Sequence, residues 1–338
     1  MLPRPNPYTL SCVVPCYNEA NHLEAFVQAL EKTVSALTPH WEIIIVNDGS
    51  KDHSREVALS LLSKNRVRYL EFSRNFGKEA ALMAGIDHAR GDCVLLIDSD
   101  FQHPLEKVPE MAALWQEGYE MVFGVIINRA KEGWVKKLGV KIFYSMLKNT
   151  EIPIPQNAGD FRWLDRKVVN ALKRLPERNR FMKGMYAWVG YKSIGIPYTP
   201  LPRSHGESAY SKLKLIQLAW TGVTSFSVMP LRLASAVGAS LAFIAFIYGI
   251  YVVIDRLFFA ESVPGWPTVV ASMMFFAGVQ LLFIGILGEY LARVYDEVKG
   301  RPSYIVAEVA KPDGAKTASK PRTSKAKRQV PAEQDLLI

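Results

Sequence analysis

DCVLLIDSDFQHP, residues 92–104, carries the reading of the whole chain. Cys93 to Ile97 is a short apolar run of the kind that forms a buried strand. The chain then emits Asp98, Ser99, Asp100 and Gln102. Side chains alternate along an extended segment, so Asp98, Asp100 and Gln102 are expected to point the same way. Oxygen donors in that pattern suit a hard divalent cation, Mg or Mn, that also holds phosphate oxygens. A solvated acidic turn is the plainer alternative for these residues taken alone.

Working outward, the first 130 residues alternate strand and helix. Leu10–Val14, Glu42–Val46, Val67–Phe72, Cys93–Ile97 and Met121–Ile127 read as strands. Their apolar character implies cover on both faces. Ala20–Leu37, Ser54–Ser63, Lys78–Ala89 and Leu105–Gln116 read as helices. The series predicts an α/β fold with a mostly parallel sheet. In such sheets ligands sit beyond the carboxyl ends of the strands.

Polar clusters follow each of the first four strands: Pro15-Cys16-Tyr17-Asn18-Glu19, Asn47-Asp48-Gly49-Ser50, Ser73 to Lys78, and the acidic turn. Asp48 can accept from a base edge or a ribose, Tyr17 can stack on a base, and Arg74 or Lys78 can meet a diphosphate. Asn18 as a helix cap, Asp48-Gly49 as a turn pair and Tyr17 as core stand as alternatives. Neither G-x-x-x-x-G-K-[ST] nor a strand-one G-x-G-x-x-G is present, so metal rather than a backbone nest is expected to carry the diphosphate charge. Chelation makes a nucleoside diphosphate a better leaving group, which points to sugar transfer from a nucleotide sugar.

Of the 338 residues 49% are hydrophobic, and they are unevenly placed. Residues 233–254 and 262–288 contain no charged side chain, and each stretch exceeds the ~20 residues that cross a bilayer. Basic residues flank the pair at Arg232 and Arg293 and crowd the tail from Lys311 to Arg328. The positive-inside rule then predicts a hairpin with both termini cytoplasmic and a short external connector. Ala277, Gly278, Gly285 and Gly288 offer small faces for helix contacts in a homo-oligomer. No cleavable signal is read, since Leu10–Val14 is too short. Cys12, Cys16 and Cys93 lack metal-type spacing and are expected as free thiols. The net charge of +9 resides largely in a tail without aromatic residues for base stacking, which argues against nucleic acid and for anionic lipid.

VVPCYNE, VNDGSKDHS, FSRNFGKEAALMAGIDHARGD, DSDFQHP, GDFRWLDRKVV and RFMKGMYAWVGY together resemble the family 2 glycosyltransferases of the A-type fold. Within them they resemble the polyprenyl-phosphate branch: bactoprenol glucosyltransferases, undecaprenyl-phosphate aminoarabinose transferases and dolichyl-phosphate mannose synthases. The likeness spans about residues 8–305. It implies a metal site at Asp98, Asp100 and Gln102 and a nucleotide site at Pro15, Tyr17, Asn18, Glu19, Asp48, Lys78 and Asp98. Asp100 and Asp160 are the implied catalytic residues, Asp160 lying near the reacting sugar. Arg203 and Ser208 fall in an R-x-x-G-x-S stretch that approaches the phosphates, and Arg129 and Lys212 are further cations for the acceptor. Two departures stand out: Ile126 occupies a position often held by Arg, and Ala209 interrupts a common Ser-Lys-Tyr.

The implied activity is metal-dependent, inverting transfer of a sugar, first glucose from UDP-glucose, to undecaprenyl phosphate on the inner face of a bacterial plasma membrane. GDP-mannose and UDP-aminoarabinose stand behind it. A lipid monophosphate with a second pKa near ~6 is largely a dianion at neutral pH and needs little general base. Asp160 is therefore expected to orient the sugar or steady the anomeric charge, or else to cap a helix over Arg162–Leu172. A processive polysaccharide synthase would require Q-x-x-R-W, and position 159 is Gly before Arg162-Trp163. A non-catalytic nucleotide-sugar sensor would not need the acidic turn. The expected partition is a cytosolic transferase domain over 1–211, an interfacial helix over 212–230, spans over 231–255 and 267–290 around a connector at 256–266, an extension over 291–309 and a basic tail over 310–338. A further interfacial helix is expected over 134–148.

Overall fold

The computed structural model describes residues 4–63, 66–127, 155, 157–177, 180–201, 229–258 and 265–311. Arg129, Arg203, Ser208 and Lys212, the expected interfacial helices apart from Met229 and Pro230, and the tail from residue 312 lie outside the described residues.

Four βα units build the centre. β1 (Thr9–Cys16), β2 (His40–Asn47), β3 (Val67–Phe72) and β4 (Cys93–Leu96) are connected by α1 (Leu23–Ser35), α2 (Ser54–Ser60) and α3 (Lys78–His88), with α4 (Val108–Gln116) after β4. β1 pairs in parallel with both β2 and β4, and β2 with β3. Alternation within these strands divides the core. Cys12, Val14, Ile43, Ile45 and Leu95 pack on one face of the sheet; Val13, Ile44, Leu70, Val94 and Leu96 pack on the other, against α3. All three cysteines are free and buried.

α3 lies close to the sheet because its inner face is small: Ala80, Ala81, Ala84 and Gly85 are buried. A Cβ at Gly85 would fall 2.1 Å from Val13 Cγ1. The close approach sets Lys78, the first residue of α3, at the carboxyl edge of the strands.

The sheet is mixed beyond this centre, with strand order β7-β5-β6-β4-β1-β2-β3-β8. β5 (Met121–Ile126) runs in the same direction as β4 but does not pair with it. β6 (Ala158–Asp165) inserts between β4 and β5, antiparallel to both, and β7 (Ser193–Tyr198) runs parallel to β5 at the edge. The helix expected from Arg162 begins at Arg166 instead: α5 spans Arg166–Arg174, and its N-cap is Asp165, whose Oδ1 accepts from Lys167 N at 2.9 Å. Asp160 is thus a strand residue and no helix cap. The cause is tertiary. Arg162 is 1% exposed and its guanidinium lies over the Tyr186 ring at 4.2 Å, so a charge that reads as solvent-facing is buried in the sheet. Tyr186 belongs to α6 (Met182–Trp188).

Two long helices follow, α7 (Met229–Phe258) and α8 (Trp266–Lys299). Leu231–Tyr251 and Ala271–Lys299 are long and apolar enough to cross a membrane, and neither is buried by protein. At 34 residues α8 is about 51 Å long, more than a ~30 Å hydrocarbon core, and its last turns from Glu289 are charged. Gly300, in the left-handed region at φ 70°, ends it. The chain then returns to the sheet as β8 (Val306–Ala310), antiparallel to β3.

Candidate active site

The polar loops meet at the carboxyl edge of the four central strands. Gly49 starts the second loop with φ 65°, and a Cβ there would lie 2.6 Å from the Arg74 carbonyl carbon, so the turns after β2 and β3 are in contact. Asp48 fastens them: Oδ1 accepts from Phe76 N at 2.6 Å and Oδ2 from Gly77 N at 2.9 Å. Asp48 is 3% exposed. Burial raises its carboxyl above the ordinary range, and the two amides and Arg74 oppose that rise. The side chain expected to read a base or ribose is thus committed first to backbone, at the amino end of α3, where negative charge is favoured. Arg74 stacks on Phe76, 4.1 Å from the ring centroid.

The first loop is pinned to the second. Asn18, at φ 58°, donates its amide to Ser50 Oγ at 2.9 Å and accepts from Lys51 N at 2.8 Å; it ties two loops together and is not a helix cap. Glu19 N donates to Ser54 Oγ at 2.8 Å, and the Glu19 carboxylate pairs with His22. Burial raises the Glu19 carboxyl, His22 opposes this, and the charges of Asp100 and Asp98 add to the rise. Tyr17 is 40% exposed at the rim, which excludes a core role. The Pro15 carbonyl accepts from Ser99 Oγ at 3.4 Å.

The acidic segment is a turn. β4 ends at Leu96, and Phe101 has φ 57°. Asp100 Oδ1 accepts from Gln102 N at 3.1 Å. Strand alternation therefore does not orient Asp98, Asp100 and Gln102; Asp100 and Gln102 lie in an Asx-type turn instead. Lys78 Nζ lies 2.6 Å from Asp98 Oδ2 and 3.3 Å from Asp160 Oδ2. Asp160 is half-buried, and its buried Oδ1 has no hydrogen-bond partner among the described residues. Burial works to raise the Asp160 carboxyl, but Lys78, Lys183 and Arg162 together hold it below the ordinary value.

Several neighbours were not among the expected site residues. His103 stacks on Phe161 at 5.0 Å between ring centroids. Its Nδ1 accepts from Asp98 N at 3.3 Å, so the proton of the neutral ring sits on Nε2, 3.9 Å from Asp98 Oδ2; burial keeps the ring below its ordinary pKa. Glu79 Oε2 accepts from Met182 N at 2.9 Å, and burial pushes its carboxyl up to about 8, with Asp160 adding to the rise. Tyr198 arrives from β7, edge-on to His103 at 5.9 Å. His103 is adjacent to Gln102 and was within reach of a motif reading; Tyr198 and Glu79 gain meaning only through packing.

Among the described residues, no three His, Cys, Asp or Glu side chains gather closely enough to hold a metal by themselves. Asp98, Asp100 and Gln102 share one turn and bring oxygen donors to it. Such a donor set fits a hard divalent cation shared with phosphates.

Residues 11–173 match the family description Glycosyl transferase family 2, and residues 229–294 match the GtrB C-terminal hairpin. The chain is 42% identical over 299 residues to the SfII prophage-derived bactoprenol glucosyl transferase of Shigella flexneri, covering 88% of this chain and 97% of that protein. It is 40% identical over 304 residues to the prophage bactoprenol glucosyl transferase homolog of Escherichia coli, covering 89% and 99%. An uncharacterized glycosyltransferase of Synechocystis is 42% identical over 302 residues, covering 89% and 95%. A crystal structure of Mycobacterium tuberculosis glucosyl-3-phosphoglycerate synthase overlaps 65% of this chain and 79% of its own, with TM-score 0.45 and 20% identity. The class is accordingly that of a glycosyltransferase with an apolar helical hairpin. The chain belongs to glycosyl transferase family 2, in the group that carries the GtrB C-terminal hairpin.

Proposed function

We propose that this chain transfers a sugar, with glucose from UDP-glucose as the leading donor, to undecaprenyl phosphate at the cytoplasmic face of a bacterial membrane. The observation that carries the reading is the convergence of Asp98, Asp100, Lys78 and Asp160 at the carboxyl edge of a sheet whose chain continues into an apolar hairpin. The names of the bactoprenol glucosyl transferases that resemble it over nearly nine-tenths of its length support the acceptor and the sugar.

Asp98, Asp100 and Gln102 would hold a divalent cation, which supplies neutralisation of the leaving nucleoside diphosphate. Tyr17 at the exposed rim offers a ring for the base. Lys78 places positive charge between the donor side, at Asp98, and Asp160 on β6. Asp160 sits where it can orient the sugar. The acceptor phosphate is itself the nucleophile, and a single displacement inverts the anomeric carbon. Arg129, Arg203, Ser208 and Lys212 are the proposed grips on that phosphate.

α7 and α8 are proposed to span the bilayer. Side chains such as Phe246 and Leu281 are exposed and are suited to lipid. The return of the chain from α8 into β8 brings the far end of the hairpin back to the catalytic sheet, which supports a cytoplasmic location for both flanks.

The test uses purified full-length protein in nanodiscs with undecaprenyl phosphate, UDP-glucose and Mg or Mn. Mass spectrometry should find the hexosyl lipid phosphate, and a chelator should abolish its formation until metal is restored. Full-rate glycosylation by metal-stripped protein would overturn the cation role; no product from UDP-glucose, GDP-mannose or UDP-aminoarabinose would overturn the reading as a whole.

A further inference from the structure

We propose that Tyr304, on the segment that returns from the second apolar helix, is a positioning residue for the nucleotide half of the cleft. The inference rests on the reading of that cleft as a nucleotide-sugar site. Tyr304 lies five residues beyond the end of α8 at Lys299. Its ring stacks on Phe72 at 5.1 Å with an interplanar angle of 17°. Its hydroxyl donates to Asp87 Oδ2 at 2.7 Å. The next residue, Ile305, accepts from Ser73 N through its carbonyl at 3.0 Å.

These contacts bracket the turn that launches Lys78. Phe72 is the last residue of β3, and Asp87 lies in the final turn of α3. Between them, Phe72 meets Phe76 edge-on at 5.7 Å, and Phe76 N and Gly77 N are the amides that Asp48 holds. Lys78 follows directly and reaches Asp98 and Asp160. Tyr304 thus fixes Phe72 before the turn and the last turn of α3 after it, and bears on Phe76 through Phe72, while Asp48 holds the amides of the turn itself.

β8 has a separate fastening farther along. Its register sets Glu308 opposite Glu71, a like-charge pair that is unfavourable across strands. Arg55 bridges them, 2.9 Å from Glu71 Oε2 and 2.7 Å from Glu308 Oε2. Docking of the strand and pressure on the turn can therefore be separated by mutation.

The experiment titrates UDP in the presence of MnCl2 into the full chain in nanodiscs, without acceptor, and then measures steady-state kinetics. An aromatic pair contributes beyond its buried area, so Tyr304→Ala should bind UDP about two- to thirteenfold more weakly. Donor KM should rise in step while acceptor KM stays unchanged. Tyr304→Phe, which keeps the stack, should restore affinity to within about twofold. Arg55→Ala, which cuts the ion pairs of the same strand, should leave UDP affinity unchanged. If Tyr304→Ala does not fold, Tyr304→Leu against Tyr304→Phe gives the same comparison. Wild-type affinity in Tyr304→Ala, or an equal loss in Arg55→Ala, would overturn the inference while leaving the site reading intact. A wild-type chain that binds neither UDP nor GDP would overturn both.

Discussion

Lys78 and Asp98 form an ion pair across the cleft, Nζ to Oδ2 at 2.6 Å, although they belong to successive βα units. The same ammonium reaches Asp160 at 3.3 Å. Replacing it should leave two carboxylates facing an incoming diphosphate. Lys78→Met is expected to lower kcat/KM on the order of 100-fold, about 2.7 kcal/mol. Lys78→Arg should rescue poorly, because a planar guanidinium cannot replace a compact ammonium between two single oxygens. Steady-state kinetics on the two variants decides this, and near-normal turnover by Lys78→Met would refute it.

Asp160 is held ionised by Lys78, Lys183 and Arg162, which suits orientation and charge stabilisation more than proton transfer. Asp160→Asn should slow turnover while leaving the shape of the pH–rate profile intact, since the acceptor phosphate, with a second pKa near ~6, is already ionised. Asp100→Ala should be more damaging. A profile for Asp160→Asn that loses an ionisation, with a loss matching Asp100→Ala, would make Asp160 a base.

Glu79 gives a pH signature in stability. Burial raises its carboxyl from an ordinary 4.5 to about 8, so between those values the folded state keeps a proton that the unfolded chain has released. Stability is therefore fully present below pH 4.5 and is lost as pH rises toward 8. His103, depressed by burial, slopes the other way below its ordinary 6.5, so wild type is best compared with Glu79→Gln. The melting temperature of the variant relative to wild type should climb from about pH 4.5 to about pH 8 and then level. Asp160, lowered from 3.8, loses its contribution only at more acidic pH and stays outside this window. A flat difference across the range would exclude a buried neutral Glu79.

Gly49 has no tolerant substitute. A Cβ would meet Arg74 backbone at 2.6 Å, and φ is 65°. Gly49→Ala should cost about 2–4 kcal/mol from backbone strain and forced displacement combined. Denaturant unfolding measures this, and nucleotide affinity should fall with it because the turn leading to Lys78 is the segment displaced. An unfolding midpoint equal to wild type would show that the two turns separate readily.

The central βα units and the apolar hairpin were legible in the sequence because each depends on local pattern. Buried strands read as short apolar runs with helices between them, and the two long helices as charge-free stretches. The acidic turn was legible as a set of residues and not as a geometry: the left-handed Phe101 and the Gln102 amide on Asp100 replace the strand alternation that was expected. β6 was misread from Arg162 onward because its buried guanidinium finds the Tyr186 ring only in the folded chain. β8 could not be seen, since five residues after a long helix become a strand only when the edge of β3 supplies partners.

The amino acids in order determined which chemistry this protein possesses: carboxylates, a lysine and an amide placed after strands, followed by apolar helices. The tertiary structure alone decided which of those groups meet. Lys78 opens α3, Asp98 follows β4 and Asp160 lies on β6, and their approach follows from the antiparallel seating of β6 against β4 and the close packing of α3 on Val13. Local patterns encode elements because backbone periodicity is local. Side chains on distant elements are brought together by burial and strand pairing, which depend on the whole fold.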